Sequence, residues 1–248
     1  MCIRDRNKMD LSNLSIVIPV YNEQERISAS LDTILEYLAN SDFHCEILIG
    51  DDGSDDNTVG VVNKYVEKHS NIHLFQYYHR GKGAVIKDTI MMANDEYCFI
   101  CDADLSMPIT QLDRFLLDLD ENDHILYGTR ESVFSSRIGE PYFRYVLGRI
   151  FNFLTKLLLQ INIKDTQCGF KMFNMSVCRD IFEQQTMNGF IFDVELFFLA
   201  QKKQLNTKEI PIDWYYYGDS KVRPSIDSFK MFIDIIRIRL NSFFGRYK

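Results

Sequence analysis

An α/β fold built on a mostly parallel central sheet is predicted by two observations. Apolar strand-like runs alternate with helical stretches through the first hundred residues, the pattern that builds a parallel sheet covered by helices. Three of those runs, ending at Pro19, Gly50 and Cys101, pass straight into polar, acidic segments. Open α/β sheets bind ligands beyond the carboxyl ends of their strands, so a cleft is expected there. With 248 residues, 46% of them hydrophobic, the chain can bury one substantial core.

The elements follow in order. "LSIVIPVYNE" is a buried strand ending at Pro19, and the helix after it, about 23–39, carries Ile27, Leu31, Ile34, Leu35 and Leu38 at helical spacing. "CEILIGDDGSDDNT" reads as a strand over 45–50, a carboxylate-rich turn at Gly53 and a helix start near 56–58. "NIHLFQYY" is a third strand, "GKGAVIKDTIMMA" a helix opened by glycines, and "EYCFICDADL" a fourth strand. In the second half, "PYFRYVLGRIFNFLTKLLL" is an apolar, basic helical stretch and "DTQCGFKMF" a compact turn leading into a strand. "NGFIFDVELFFLAQKK" is a buried helix holding Asp193 and Glu195, and "TKEIPIDW" is a strand.

The stretch "FICDADLSMP" carries the sharpest chemical signal. In an extended chain Asp102 and Asp104 project on one side, with Ala103 turned away between them. Two like charges roughly 6 to 7 Å apart repel unless a cation sits beside them. A hard divalent ion and a solvated strand end both fit that pattern.

Composition narrows the partners. Lys plus Arg number 28 against 35 Asp plus Glu, a net charge of -7, which argues against a nucleic-acid surface built on phosphate contacts. An anionic substrate therefore needs a metal ion or clustered bases. The six cysteines lack dense disulfide spacing, consistent with a reducing compartment. Cys98 and Cys101 form a C-x-x-C, but they lie in an apolar strand rather than at the helix start that redox versions use. "MCIRDRNKMD" does not resemble a secretory signal. The longest apolar candidate, 150–163, is too short to span a bilayer and carries Lys156, so no complete transmembrane helix is expected.

"IVIPVYNE", "DDGSDD", "RGKGAV", "DADLSMP", "YGTR", "DTQCGFKMF", "GFIFDVEL", "EIPIDW" and "GDSKV" occur here in the order seen in family 2 glycosyltransferases. The chain resembles, more narrowly, the polyprenyl-phosphate (dolichyl-phosphate) β-glucosyltransferase group and the related dolichyl-phosphate mannose synthases, over about residues 14–239. That resemblance implies a GT-A fold over 14–224, after an extension at 1–13, with a nucleotide-sugar donor and a polyprenyl-phosphate acceptor. It implies donor contacts from Pro19, Tyr21, Glu23, Asp51, Asp52, Lys82 and Asp102. The residues agree with it: carboxylates accept from a base and ribose, and an aromatic at a strand end offers a stacking face. On their own they also read as a strand terminus and a capped loop.

By the same resemblance Asp102 and Asp104 hold Mg²⁺ or Mn²⁺ across the donor's phosphates, and Asp102, Asp104, Arg130, Lys171 and Asp193 form the catalytic set. A Gln often stands two residues past the second Asp in mannose synthases; here that position is Ser106, which leaves any third protein ligand open. Arg80 and Lys82 flank Gly81 at a helix start that already favours anions. Arg144, Lys171 and Lys221 are expected at the acceptor phosphate, with Arg137 and Arg149 near the membrane-facing side and Arg223 as a solvated charge. Asp165, Asp193 and Glu195 read either as acceptor-orienting groups or as acids paired with nearby bases.

The reaction implied is inverting transfer of a hexose, glucose from UDP-glucose, to a polyprenyl phosphate. GDP-mannose-dependent transfer and a non-catalytic nucleotide-sugar-binding relative are the alternatives. The segment 225–248 puts Phe229, Phe232, Ile233, Ile236, Leu240 and Phe243 on one helical stripe, with Lys230, Arg237, Arg239, Arg246 and Lys248 mostly outside it. That pattern fits a helix lying on a membrane surface, and equally one packed on the core or on a second subunit. Peripheral attachment at the cytoplasmic face, directly or through a membrane-protein partner, is the expected location.

Overall fold

The computed structural model describes residues 14–43, 45–218 and 224–247. The expected N-terminal extension and two expected basic positions, Lys221 and Arg223, lie outside those residues. The strands are β1 (Leu14–Val20), β2 (Cys45–Asp51), β3 (Ile72–Gln76), β4 (Tyr97–Ile100), β5 (Ile125–Thr129), β6 (Ser136–Ile138), β7 (Lys171–Asn174), β8 (Thr207–Pro211) and β9 (Asp213–Tyr215). The helices are α1 (Ile27–Ala39), α2 (Thr58–Val66), α3 (Lys82–Ile90), α4 (Leu112–Asp118), α5 (Tyr142–Leu159), α6 (Met175–Gln184), α7 (Phe192–Lys202) and α8 (Pro224–Phe243).

Seven strands form the central sheet in the order β3-β2-β1-β4-β7-β5-β8. All neighbours are parallel except β7, which runs antiparallel to both β4 and β5. Side chains alternate across the sheet and build two cores. Leu14, Ile16 and Ile18 pack with Ile27 and Leu31 of α1 and with the Phe99, Phe115 and Phe170 cluster. Val17, Leu48 and Ile100 face the other way, onto Ile86 of α3 and onto α6, α7 and α8. Both sheet faces are covered, which is why the strands read as continuous apolar runs.

The strand expected over "TKEIPIDW" breaks at Ile212 into β8 and β9. β9 leaves the main sheet and pairs in parallel with β6, giving a two-stranded flap. The backbone N–H of Tyr215 in this flap donates to the Ser106 carbonyl at 2.8 Å, which ties the flap to the acidic turn after β4.

Helix α8 has distinct faces. Met231, Ile235 and Ile238 enter the core beside α7. Phe232, Ile233, Ile236, Leu240 and Phe243, five of the six residues of the expected apolar stripe, point to solvent instead; the side chain of Phe229 lies outside the description. Helix α5 repeats the pattern: Phe143, Leu147, Ile150, Phe153 and Leu157 are 50–64% exposed on one face, and the helix packs beside α8. Among the described residues no helix is long and apolar enough to cross a membrane.

Candidate active site

Three loops gather beyond the carboxyl ends of β1, β2 and β3, and hydrogen bonds lace them together. Asn22, in the left-handed region at φ 51°, donates its N–H to Ser54 Oγ at 2.8 Å and accepts from the Asp55 N–H at 2.8 Å. The N–H of Glu23 donates to Thr58 Oγ1 at 2.7 Å. Tyr21 stacks on His79, with ring centroids 4.3 Å apart. Pro19 lies inside β1, paired with Gly50, and Glu23 pairs with Arg26.

Asp51 ends β2 and Asp52 follows it. Both are nearly fully buried and spoken for by the chain itself. Asp51 accepts from the N–H groups of Gly53 and Ser54 at 3.2 and 3.1 Å, closing the turn after β2. Asp52 accepts from the N–H groups of Arg80 and Gly81 at 2.8 and 2.9 Å and lies 2.9 Å from His79 Nδ1. Their carboxylates shape the loops that border the cleft. A carboxylate followed by a glycine-containing turn reads the same in sequence whether it faces a ligand or its own backbone.

The acidic pair is also built differently from an extended strand. β4 ends at Ile100, and residues 102–105 form a turn in which the Leu105 N–H donates to the Asp102 carbonyl at 3.2 Å, with Leu105 at φ 45°. The same-side argument from strand geometry therefore does not apply, although both carboxylates still belong to one site. Ser30 on α1 anchors the turn by donating to the Ala103 carbonyl at 2.6 Å. The Ser106 N–H donates to Asp104 Oδ1 at 2.9 Å. Gly169 lies against Asp102: a Cβ there would fall 2.2 Å from Asp102 Oδ2.

From this turn a series of alternating charges runs inward. Lys82, the first residue of α3, places Nζ 2.5 Å from Asp102 Oδ1. It is raised above the ordinary lysine range, because Asp102 and Asp193 outweigh the burial that would lower it. Asp193, on the first turn of α7, forms an ion pair with Lys171, 2.7 Å from its Nζ. Its carboxyl is pushed up by burial, against the pull of Lys171 and Lys82. Asp104 at the outer end is exposed on its solvent side. Partial burial and then the charge of Asp102 raise its carboxyl. Two hard oxygen donors with excess negative charge between them suit a divalent cation that completes its shell elsewhere.

Lys171 is the most deeply buried of the described basic residues. It was expected at the acceptor phosphate, yet it is 1% exposed, paired with Asp193 and donating to the Cys168 carbonyl. In this state its ammonium holds α7 to β7. Burial of a lysine in a strand is invisible to periodicity, because a strand position names a face and not a depth.

Arg130 grips Asp165 through Nε and Nη2 at 2.7 and 2.8 Å, and its guanidinium lies 5.3 Å from the Trp214 ring centroid. Burial alone would raise the Asp165 carboxyl, but the charge and hydrogen bonds of Arg130 hold it at about 2. Arg144 on α5 lies over the ring of Tyr216, 5.1 Å from its centroid. Arg137 and Arg149 both pair with Glu131. Glu195 is fully buried and accepts from the N–H groups of Thr186 and Met187 and from the Tyr247 hydroxyl, so it locks the 186–187 loop to the chain's end. Of the two readings left open for Glu195, these contacts are those of an acid paired within the chain. Cys98 and Cys101 are both buried thiols.

Sequence reasoning passed over His79, Trp214 and Gln111. Gln111 exchanges hydrogen bonds with the Asp213 backbone at 2.6 and 2.7 Å and so fixes the flap. A buried polar side chain on an otherwise apolar helix start is the signal that could have found it.

The fold is a mostly parallel α/β sheet whose strand ends border a polar cleft, and comparison with known proteins supplies its class. The chain belongs to glycosyl transferase family 2, whose profile matches residues 15–182, and it is a glycosyltransferase of GT-A fold. Among curated relatives it is 34% identical to the dolichyl-phosphate beta-glucosyltransferase of Dictyostelium discoideum, over 99% of this chain and 80% of that one. It is 32% identical to the protein of that name from Homo sapiens, over 95% and 77%, and 31% identical to that from Saccharomyces cerevisiae, over 95% and 76%. Among solved structures, glucosyl-3-phosphoglycerate synthase from Mycobacterium tuberculosis, crystallised with Mn²⁺, UDP and glucosyl-3-phosphoglycerate, superposes with a TM-score of 0.65 at 16% identity, over 95% of this chain and 80% of that one. The same enzyme with Mn²⁺ and UDP-glucose gives 0.63 at 15% identity, over 95% and 79%.

Proposed function

We propose that this chain transfers glucose from UDP-glucose to the phosphate of dolichol or a similar polyprenol, with inversion at the anomeric carbon. The observation that carries this reading is the similarity, across 95–99% of the chain, to relatives bearing one name, dolichyl-phosphate beta-glucosyltransferase. Solved neighbours of the same fold that were crystallised with UDP and Mn²⁺ support the donor class and a divalent ion.

Asp102 and Asp104 are the residues that would hold Mg²⁺ or Mn²⁺. Bound there, the ion would offset charge on the departing nucleoside diphosphate. Lys82 pairs with Asp102 in that turn and would meet the same phosphates once Asp102 turns to the ion. Tyr21, with its ring at the strand end, would face the base. Arg130, held by Asp165 and Trp214, and Arg144, on the exposed helix α5, would line the acceptor side. An acceptor phosphate monoester already carries about 1.5 to 2 negative charges near neutral pH, so its oxygen attacks without a general base. Positioning and electrostatics dominate such a reaction. Asp193 then holds Lys171 and shapes the field at Lys82, and takes no proton from the acceptor.

Such an acceptor is embedded in a bilayer. The outward apolar faces of α5 and α8 support peripheral attachment at a membrane surface, and the cytoplasmic face is where a nucleotide sugar is available. Incubating the purified chain with a polyprenyl phosphate and a panel of nucleotide sugars, and weighing the glycolipid by mass spectrometry, tests donor and acceptor together. A hexosyl lipid formed from UDP-glucose, and lost with EDTA, is expected. Product from GDP-mannose alone, or none from any donor, would overturn the reading.

A further inference from the structure

A recess of about 470 Å³ opens between α8 and the 186–189 loop, and neither Asp102 nor Asp104 lines it. Four cations border it, Arg80, Lys230, Arg237 and Arg246, against one carboxylate, Asp234. Two of the cations are already matched, Arg237 to Asp234 at 2.8 Å and Arg80 to Asp88. Lys230 and Arg246 hold no ion pair among the described residues, and both are exposed. In a chain of net charge -7, two unmatched cations facing one concavity mark a place built for an anion.

The recess also lies beside an apolar surface. At 100° per residue, Lys230, Asp234, Arg237 and Asn241 fall on one face of α8. Ile233 is the nearest member of the exposed apolar stripe, about 40° from Arg237 on that helix. A helix that lies in a bilayer interface keeps its apolar face in the acyl boundary and its cations at headgroup depth. The apolar stripe on α8 next to a basic concavity therefore matches, in apolarity and in sign, a bilayer surface carrying phosphate.

We propose that the recess between α8 and the 186–189 loop binds the phosphate headgroup of an anionic membrane lipid, separately from the nucleotide-sugar site. The inference rests on the membrane reading above and is independent of which sugar is transferred. It gives the apolar helices a point of fixed orientation. Apolar insertion alone leaves the protein free to rotate on the membrane, whereas one ligated headgroup beside α8 sets the cleft's direction.

The test is sedimentation of the full chain with phosphatidylcholine vesicles, with and without phosphatidic acid, which needs no donor or acceptor and so can fail or succeed apart from the transfer assay. Lys230→Ala and Arg246→Ala are each expected to weaken binding to the phosphatidic acid vesicles at least about tenfold, the effect of losing one charge-assisted hydrogen bond. Arg239→Ala, on the same helix but outside the recess, reports the general surface attraction and is expected to cost about fivefold or less. All three variants should bind neutral vesicles like the parent and keep its melting temperature. Equal losses in the three, or binding indifferent to phosphatidic acid, would overturn the proposal. Inorganic phosphate, titrated without lipid, separates the two sources of the anion: competition only at high concentration supports the lipid, and saturation at micromolar phosphate that abolishes vesicle binding would reassign the recess to a soluble ligand.

Discussion

Asp165→Asn probes the part of the site whose energetics the structure defines best. The carboxylate is 4% exposed and holds Arg130 through both oxygens. Its carboxyl lies at about 2, down from an ordinary 3.8, and that depression favours the folded chain by about 2 kcal/mol at neutral pH. The sign follows from the direction. A carboxyl held below its unfolded value stabilises above about pH 4, and the contribution is lost as pH falls from there towards 2. Asparagine keeps the shape but leaves the Arg130 guanidinium partly buried without its counter-charge, at a cost of about 3 kcal/mol. Urea denaturation from pH 7 down to about 2 measures both effects. The variant should be weaker at pH 7 and should show a flatter acid limb, with the gap to the parent closing by about 2 kcal/mol below pH 4. Parallel acid limbs, or a neutral loss under about 1 kcal/mol, would refute the assignment of the pair as a strong buried clamp.

Two further changes address the cleft and the chain's end. Gly169→Ala would set a methyl 2.2 Å from Asp102 Oδ2 and 3.1 Å from Met107 Cε; transfer should fall about 100-fold through misplacement of Asp102, with circular dichroism unchanged, and parental turnover would contradict the tight approach. Tyr247→Phe removes the hydroxyl that donates to buried Glu195 at 2.6 Å and should cost about 1 to 3 kcal/mol, read as a lower melting temperature with the KM for donor unaltered. A variant as stable as the parent would show that Glu195 does not depend on that contact.

Much of this fold is written in the alternation of elements, and the reason is burial on both faces. Runs such as "LSIVIPV" and "CEILIG" have no polar side to confuse with a surface strand. The direction of β7 was not legible, because residues 171–174 carry the same apolar signature whether they run with or against β4. The flap strand β6 is only three residues long, too short for any period to register. At the site, the sequence identified which residues collect beyond the strand ends but not which ones are exposed. Asp52 and Lys171 both stand in segments that look ligand-facing, and each is satisfied internally, by the 80–81 backbone and by Asp193. Partner choice among nearby charges is a tertiary property, set by loops brought together from positions about a hundred residues apart or less. The amphipathic character of α8 was legible, but which apolar stripe faces the core was not, since the helix has apolar residues on two faces.

Bound at the turn of Asp102 and Asp104, a divalent cation would share the donor's phosphates. Calorimetric titration of Mn²⁺ into the purified chain, with and without UDP, tests it directly against Asp104→Ala. UDP is expected to tighten Mn²⁺ binding in the parent, and the variant, folded by circular dichroism, to lose at least about tenfold in affinity. Unchanged Mn²⁺ binding by that folded variant, or binding indifferent to UDP, would contradict the account.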